Sequence, residues 1–149
     1  MTKAIHLHGK VHVAGQLQEA DFAALAEAGI RTVVCNRPDG EAEGQLSSAE
    51  AQKWAQDAGL EFRYQPVAGY EVSDEAVVEM FSMLEASLQG PILFYCRTGT
   101  RCTLLWAQSA VAELGSEAVT RIAATAGYDL EPIRDILVER LDTAKAIAA

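Results

Sequence analysis

The spacing of apolar residues along the chain changes several times, and each change marks an element. "AIHLHGKVHVAG" alternates apolar and polar residues on both sides of Gly9, the period-two pattern of a short hairpin. A turn over His8-Gly9-Lys10 pairs Leu7 with Val11 and sets His6 opposite His12. "EADFAALAEAG" then places Phe22, Leu25, Ala26 and Gly29 at helical spacing, with Gly29 positioned to stop the helix. "IRTVVCN" reads as a short buried strand, followed by the polar loop "RPDGEAEGQ". Ser47 opens "SSAEAQKWAQDAG" with Glu50 three residues on, a capping-box pattern. "LEFRYQPV" is the next strand, ended by Pro66. Ser73 opens the helix "SDEAVVEMFSMLEASLQG", whose acidic first turn suits the helix dipole. "PILFY" is a short apolar strand and "CTLLWAQSAVAEL" the helix after it. "SEAVTRIAATAG" and "EPIRDILVERLDTAKAIA" are two further helical stretches.

Strands that alternate with helices imply an α/β fold: three layers, a mostly parallel sheet of about four to five strands, and helices on both faces. Trp106, Leu104 and Leu105 read as residues packing a helix on that sheet, and so does the stripe Val78, Phe81, Leu84, Leu88. Trp54 fits a core or an interface equally well. In such sheets ligands bind beyond the carboxyl ends of the strands. That rule brings the loops after Cys35, Val67 and Tyr95 to one rim.

Composition narrows the function. The 149 residues fit one domain over residues 1–149, and half of them are apolar, enough for a core. Twelve basic against 21 acidic residues leave a net charge of −9, which argues against nucleic acid or an anionic membrane as partner. No apolar run approaches a membrane span, and "MTKAIHLHGKVHVAG" has no signal-peptide core. Three cysteines are too few and too odd for a disulfide framework, so a reducing cytoplasm is the expected compartment. An acidic protein that binds an anion must do so through a local site.

One segment has that character. In "ILFYCRTGTRC" the apolar strand stops at Cys96, and Arg101-Cys102 begins a helix. A loop wrapped into a helix N-terminus aims backbone N–H groups at one point, and Gly99 permits the tight turn. The helix dipole and the arginines would lower the thiol pKa, and the same groups would hold a tetrahedral oxyanion. A buried structural cysteine is the plainer alternative. It leaves Arg97, Thr98, Gly99, Thr100 and Arg101 unexplained.

At this point the chain resembles a known family. "VHVAGQLQEADFAALAEAGIRTVVCNRPDGE", "YQPV", "GPILFYCRTGTRCTLLW" and "AATAGYDL" look like the phosphatase-like domain of β-lactamase-hydrolase-like proteins, a small bacterial family related to the dual-specificity tyrosine phosphatases. The likeness extends over residues 11–130 and implies a tyrosine-phosphatase-like α/β fold without a cofactor. It makes Cys96 the nucleophile, Arg97, Thr98, Gly99 and Thr100 the phosphate cradle, and Arg101 the clamping arginine. The implied partner is a phosphorylated small molecule or a phosphoprotein, cleaved through a phosphocysteine.

The segment also departs from that pattern. Tyrosine-phosphatase loops carry five residues between Cys and Arg, usually with His before the Cys. Here Tyr95 precedes Cys96, four residues separate it from Arg101, and Cys102 stands where the longer pattern puts Arg, followed by the hydroxyl of Thr103. A loop this short resembles that of rhodaneses, which carry a persulfide, so sulfur transfer is the alternative chemistry. A module that binds oxyanions or phosphopeptides without catalysis is the third. The slot after Pro66-Val67 that usually supplies a general acid holds Ala68 and Gly69, leaving Asp39, Glu71 and Asp74 as candidates. Asp74 also suits a first-turn helix charge.

Arg37 is either a second anion contact or a loop arginine paired with Asp39 or Glu41. Cys35 and Cys102 are either buried apolar residues or resolving thiols for an oxidised Cys96, through a Cys35–Cys96 or Cys96–Cys102 bridge. His6, His8 and His12 have no carboxylate or cysteine nearby in sequence, so no metal site is expected.

Overall fold

The computed structural model describes residues 2–148. Five strands form one sheet in the order β1-β2-β5-β3-β4: β1 (Ile5–His8), β2 (Val11–Ala14), β3 (Thr32–Cys35), β4 (Glu61–Tyr64) and β5 (Ile92–Tyr95). Only β1 is antiparallel; β2, β5, β3 and β4 run parallel. Strands buried on both faces read as continuous apolar runs, as "TVVC" and "ILFY" do.

Side-chain alternation splits the core in two. Val33, Cys35, Leu93 and Tyr95 face α1 (Glu19–Glu27) and α2 (Ser48–Asp57), where Phe22, Leu25, Ala51 and Ala55 meet them. Val34, Ile92, Phe94 and Cys96 face α3 (Glu75–Ser87), α4 (Thr100–Leu114), α5 (Ser116–Thr125) and α6 (Arg134–Ala148). Trp106 and Leu105 of α4 are fully buried there with Val78 and Phe81 of α3, while Leu104 and Leu84 are partly buried. Trp54 packs on the other core, its ring 6.1 Å from that of Phe22. The three expected layers are present.

The capping box of α2 forms as expected: Glu50 N–H donates to Ser47 Oγ, and Ser47 N–H to Glu50 Oε1. Three local readings need correction. The hairpin pairs His6 with His12, but an irregularity between His6 and His8 sets Val11 against His8 rather than Leu7. Helix α3 is capped by Asp74 instead of Ser73, because the Asp74 carboxylate accepts from the N–H groups of Ala76 and Val77. Helix α4 starts at Thr100, two residues before Cys102. Among the described residues no helix is long and apolar enough to cross a membrane.

Candidate active site

Central strand β5 delivers Cys96 to the carboxyl rim, where Cys96 N–H donates to Ala14 O of β2 (3.3 Å) and Asn36 N–H to Tyr95 O (2.8 Å). The chain then doubles back at once into α4. Gly99 makes this turn with φ +89°, a conformation that costs little only without a Cβ. Its N–H donates to Cys96 Sγ at 3.1 Å, and its carbonyl accepts from both N–H and Oγ1 of Thr103. Gly15 lets the end of β2 lie against the loop: a Cβ there would stand 3.0 Å from Arg97 O, the carbonyl that Gln16 N–H also reaches.

Cys96 is 1 % exposed, yet its thiol pKa is pulled down from 9.0 to about 5. The leading cause is hydrogen bonding from the Cys102 side chain. Burial opposes it, and the N–H groups of Cys102, Thr98 and Gly99 add to the lowering. The low thiol pKa was expected, but the arginines are not its leading cause. The Cys102 sulfur is buried, 3.3 Å from Asn36 Oδ1, so its one proton has two acceptors, the Asn36 amide and the Cys96 thiolate. Burial holds Cys102 itself protonated by pushing its pKa up. Thr103, expected to supply the hydroxyl after the arginine, spends it on Gly99 O.

The other cradle residues divide. Gly99 turns inward. Arg97, Thr98 and Thr100 are exposed, and Thr98 Oγ1 donates to Thr100 Oγ1 while accepting from Thr100 N–H. Arg101 lies along the rim: Nη1 donates to Val67 O (2.9 Å) and Glu41 Oε2 (2.7 Å), and Nη2 to Glu41 Oε1 (2.8 Å). Glu41 also accepts from Arg37 Nε at 3.1 Å, and Arg37 Nη1 reaches Gln16 Oε1. Arg37 thus pairs with Glu41 and not with Asp39, and is only 6 % exposed. Two guanidinium groups hold the Glu41 carboxyl below its usual pKa, the Arg101 hydrogen bond contributing most.

Each candidate acid is tied to a turn or cap. Asp39 accepts from the N–H and Oγ of Ser48, Glu71 from Ala68 N–H, and Asp74 caps α3. Tyr70, in the 3₁₀ turn Gly69–Glu71, is 92 % exposed beside the Val67 carbonyl loop. Cys35 points to the opposite side of the sheet, where burial raises its thiol to about 11 and Arg37 O accepts from it. All three cysteines are free thiols. His6 and His12 do face each other, with ring centroids 4.7 Å apart, but no group of three metal-ligating side chains occurs among the described residues. A groove of about 720 Å³ between α5 and α6 lies on another part of the surface, lined by Arg121, Leu130 and Leu137 among others.

Glu41, Gln16, Asn36 and Tyr128 (whose hydroxyl donates to Thr98 O at 3.1 Å) adjoin the Cys96 loop and its arginines, and of these only Glu41 was named from the sequence, as a possible partner of Arg37. A polar loop after a parallel strand was the only signal for Asn36. The arrangement as a whole is a thiolate ringed by N–H donors beside a fixed guanidinium, which suits attack on, or binding of, an oxyanion.

Comparison with known proteins places the chain in a family. The family model "Beta-lactamase hydrolase-like protein, phosphatase-like domain" matches residues 5–113. A beta-lactamase hydrolase-like protein of Agrobacterium fabrum is 33% identical over 104 residues, 70% of this chain and 24% of that protein. The chain thus spans about a quarter to a third of the length of the curated relatives it matches. A crystal structure of a candidate phosphatase from Neisseria meningitidis superposes with a TM-score of 0.84 at 37% identity, covering 91% of this chain and 96% of that one. PTPMT1 bound to PI(5)P superposes at 0.70 with 17% identity over 98% and 99% of the two chains, a likeness of fold alone. The fold is tyrosine-phosphatase-like.

Proposed function

The chain belongs to the family of the beta-lactamase hydrolase-like protein phosphatase-like domain, and from that premise we propose that it is a cysteine-dependent phosphatase of phosphomonoesters. The Cys96 thiolate attacks phosphorus, the phosphorus–oxygen ester bond breaks, and a phosphocysteine forms. Water then attacks phosphorus, releasing phosphate and returning the thiolate. The observation that carries this reading is the Gly99 N–H held 3.1 Å from a buried Cys96 sulfur whose pKa lies at about 5.

Arg101 completes the cradle. Its Nη1 protons go to Glu41 and Val67 and one Nη2 proton to Glu41. Nε–H and the second Nη2 proton remain on one edge, a fork that fits two phosphoryl oxygens. The substrate is a phosphorylated small molecule or a phosphoprotein side chain. With Asp39, Glu71 and Asp74 engaged in caps and turns, leaving groups that depart without a strong acid are favoured, aryl phosphates first.

The test is phosphate release from an aryl phosphate by wild type and Cys96→Ser. Release that disappears in the variant is the expected result. Thiocyanate formation from thiosulfate and cyanide without phosphate release would replace this reading with sulfur transfer. Neither activity, with phosphate still raising the melting temperature, would leave a binding module.

A further inference from the structure

The peptide between Thr98 and Gly99 is held from both ends. Its N–H points at Cys96 Sγ (3.1 Å), and its carbonyl accepts from the Tyr128 hydroxyl (3.1 Å). In a trans peptide these two groups point in opposite directions. A donor outside the loop that captures the carbonyl therefore turns the N–H inward. Rotating this peptide by half a turn would aim the carbonyl dipole at the thiolate instead. Gly99, at φ +89°, has no side chain to oppose such a rotation.

Tyr128 is itself firmly mounted. Its N–H donates to Ala123 O at the end of α5 (2.8 Å), and the next residue, Asp129, accepts from Glu131 N–H (2.9 Å). Its ring packs against the core that contains Cys96. The fit to the loop is close: a Cβ on Gly99 would overlap the Tyr128 hydroxyl and stand 3.0 Å from Cζ. Burial, followed by the charge of the Cys96 thiolate, raises the phenol pKa, so the group stays a donor throughout the neutral range.

We infer that Tyr128 is a positioning residue for the nucleophile, fixing the Thr98–Gly99 peptide so that its N–H stabilises the Cys96 thiolate. Its role in hydrolysis rests on Cys96 being the nucleophile of the proposed reaction. Its effect on the thiolate does not require any substrate.

The experiment measures alkylation of Cys96 by iodoacetamide as a function of pH, with peptide mapping to separate Cys96 from Cys35 and Cys102. Iodoacetamide is uncharged and so does not report anion binding. Tyr128→Phe keeps the ring and removes only the donor. The expected result is an upward shift of the Cys96 profile by about half to one unit, hence alkylation roughly three- to tenfold slower below its midpoint. Placing 4-aminophenylalanine at position 128 restores an N–H donor and should return the profile to that of wild type. If the Phe variant fails to fold by circular dichroism, 4-fluorophenylalanine at position 128, which fills the place of the hydroxyl without a proton to donate, takes its place: an upward shift supports the anchor, and a wild-type profile overturns it.

Aryl phosphate hydrolysis is measured on the same samples. A shifted profile in a protein that hydrolyses no phosphoester leaves the anchor standing and removes the reaction. An unshifted profile in a protein that does hydrolyse them overturns the anchor and keeps the reaction.

Discussion

Glu41 grips the end of Arg101 with both carboxylate oxygens, at 2.7 and 2.8 Å, although 60 positions separate the two residues in sequence. Such a two-point contact fixes the plane of the guanidinium as well as its position. It also places a negative charge beside the proposed anion site. Glu41→Gln should separate these effects. The neutral amide keeps the size but loses the bidentate geometry and the charge. We expect kcat on an aryl phosphate to fall about ten- to a hundredfold through misalignment, while inorganic phosphate binds as well as before or better. Equal weakening of phosphate binding and turnover would show that Glu41 serves only the folding of the rim.

The second relationship concerns Cys102, whose side chain is the leading cause of the low Cys96 pKa. A depressed pKa means that the thiolate persists as pH falls until the folded value, about 5, is crossed. Wild-type alkylation should therefore lose rate below pH 5, about tenfold per unit. Cys102→Ala removes a donor to the charged form, so the midpoint must move up, toward the ordinary 9.0. Cys102→Ser keeps a donor and should move it less. A midpoint unchanged in Cys102→Ala would assign the shift to the loop amides alone.

Much of the proposed site lies in one stretch of sequence, because strand end, proposed nucleophile, turn glycine and helix start are contiguous from Ile92 to Arg101. The sheet was readable for a similar reason, since short apolar runs between amphipathic helices admit few arrangements. The partners that complete the site come from distant loops: Glu41 after β3, Gln16 after β2, Tyr128 after α5. They lie in stretches that carry the family likeness, but nothing in those stretches says that they meet, and only the packing of α4 on the sheet brings them together. The same limit explains the hairpin. Alternation located its two strands, but the irregularity beyond His6 that shifts Leu7 away from Val11 has no signature in the residues. Cys102 was assigned by counting along a longer loop pattern. In three dimensions it faces Cys96, and Thr103 turns its hydroxyl back onto Gly99.

The contact between Cys96 and Cys102 also selects one of two oxidation products. A hydroperoxide is attacked by the Cys96 thiolate, which takes one oxygen to become a sulfenic acid while the peroxide leaves as alcohol or water. The Cys102 sulfur then attacks the sulfenic sulfur, forming the disulfide and releasing water, so that the two electrons given up by two thiols account for one peroxide reduced. Cys35, on the other face of the sheet, is the weaker partner. Peptide mapping after treatment with peroxide should find a Cys96–Cys102 bridge that a thiol reductant reverses. Recovery of only sulfinic Cys96 would mean that the buried Cys102 cannot reach it in time.

The last prediction follows from where the carboxylates are. A general acid lets an enzyme expel a poor leaving group by protonating it, an effect worth about 10² to 10⁴ in rate. Asp39 is occupied by Ser48, Glu71 by Ala68, Asp74 by the first turn of α3, and Glu41 is held ionised by arginine. An enzyme without that proton leaves charge on the departing oxygen, so rate must follow the stability of the released alkoxide or phenoxide. A series of substituted phenyl phosphates should therefore show a steep dependence of kcat/KM on leaving-group pKa, with alkyl phosphates slower by about 10² or more. The matching variants Asp39→Asn, Glu71→Gln and Asp74→Asn should keep the slope of wild type. A flat series would require an acid after all, and whichever of the three variants then became steep would identify it by the bond it had been assigned to cap.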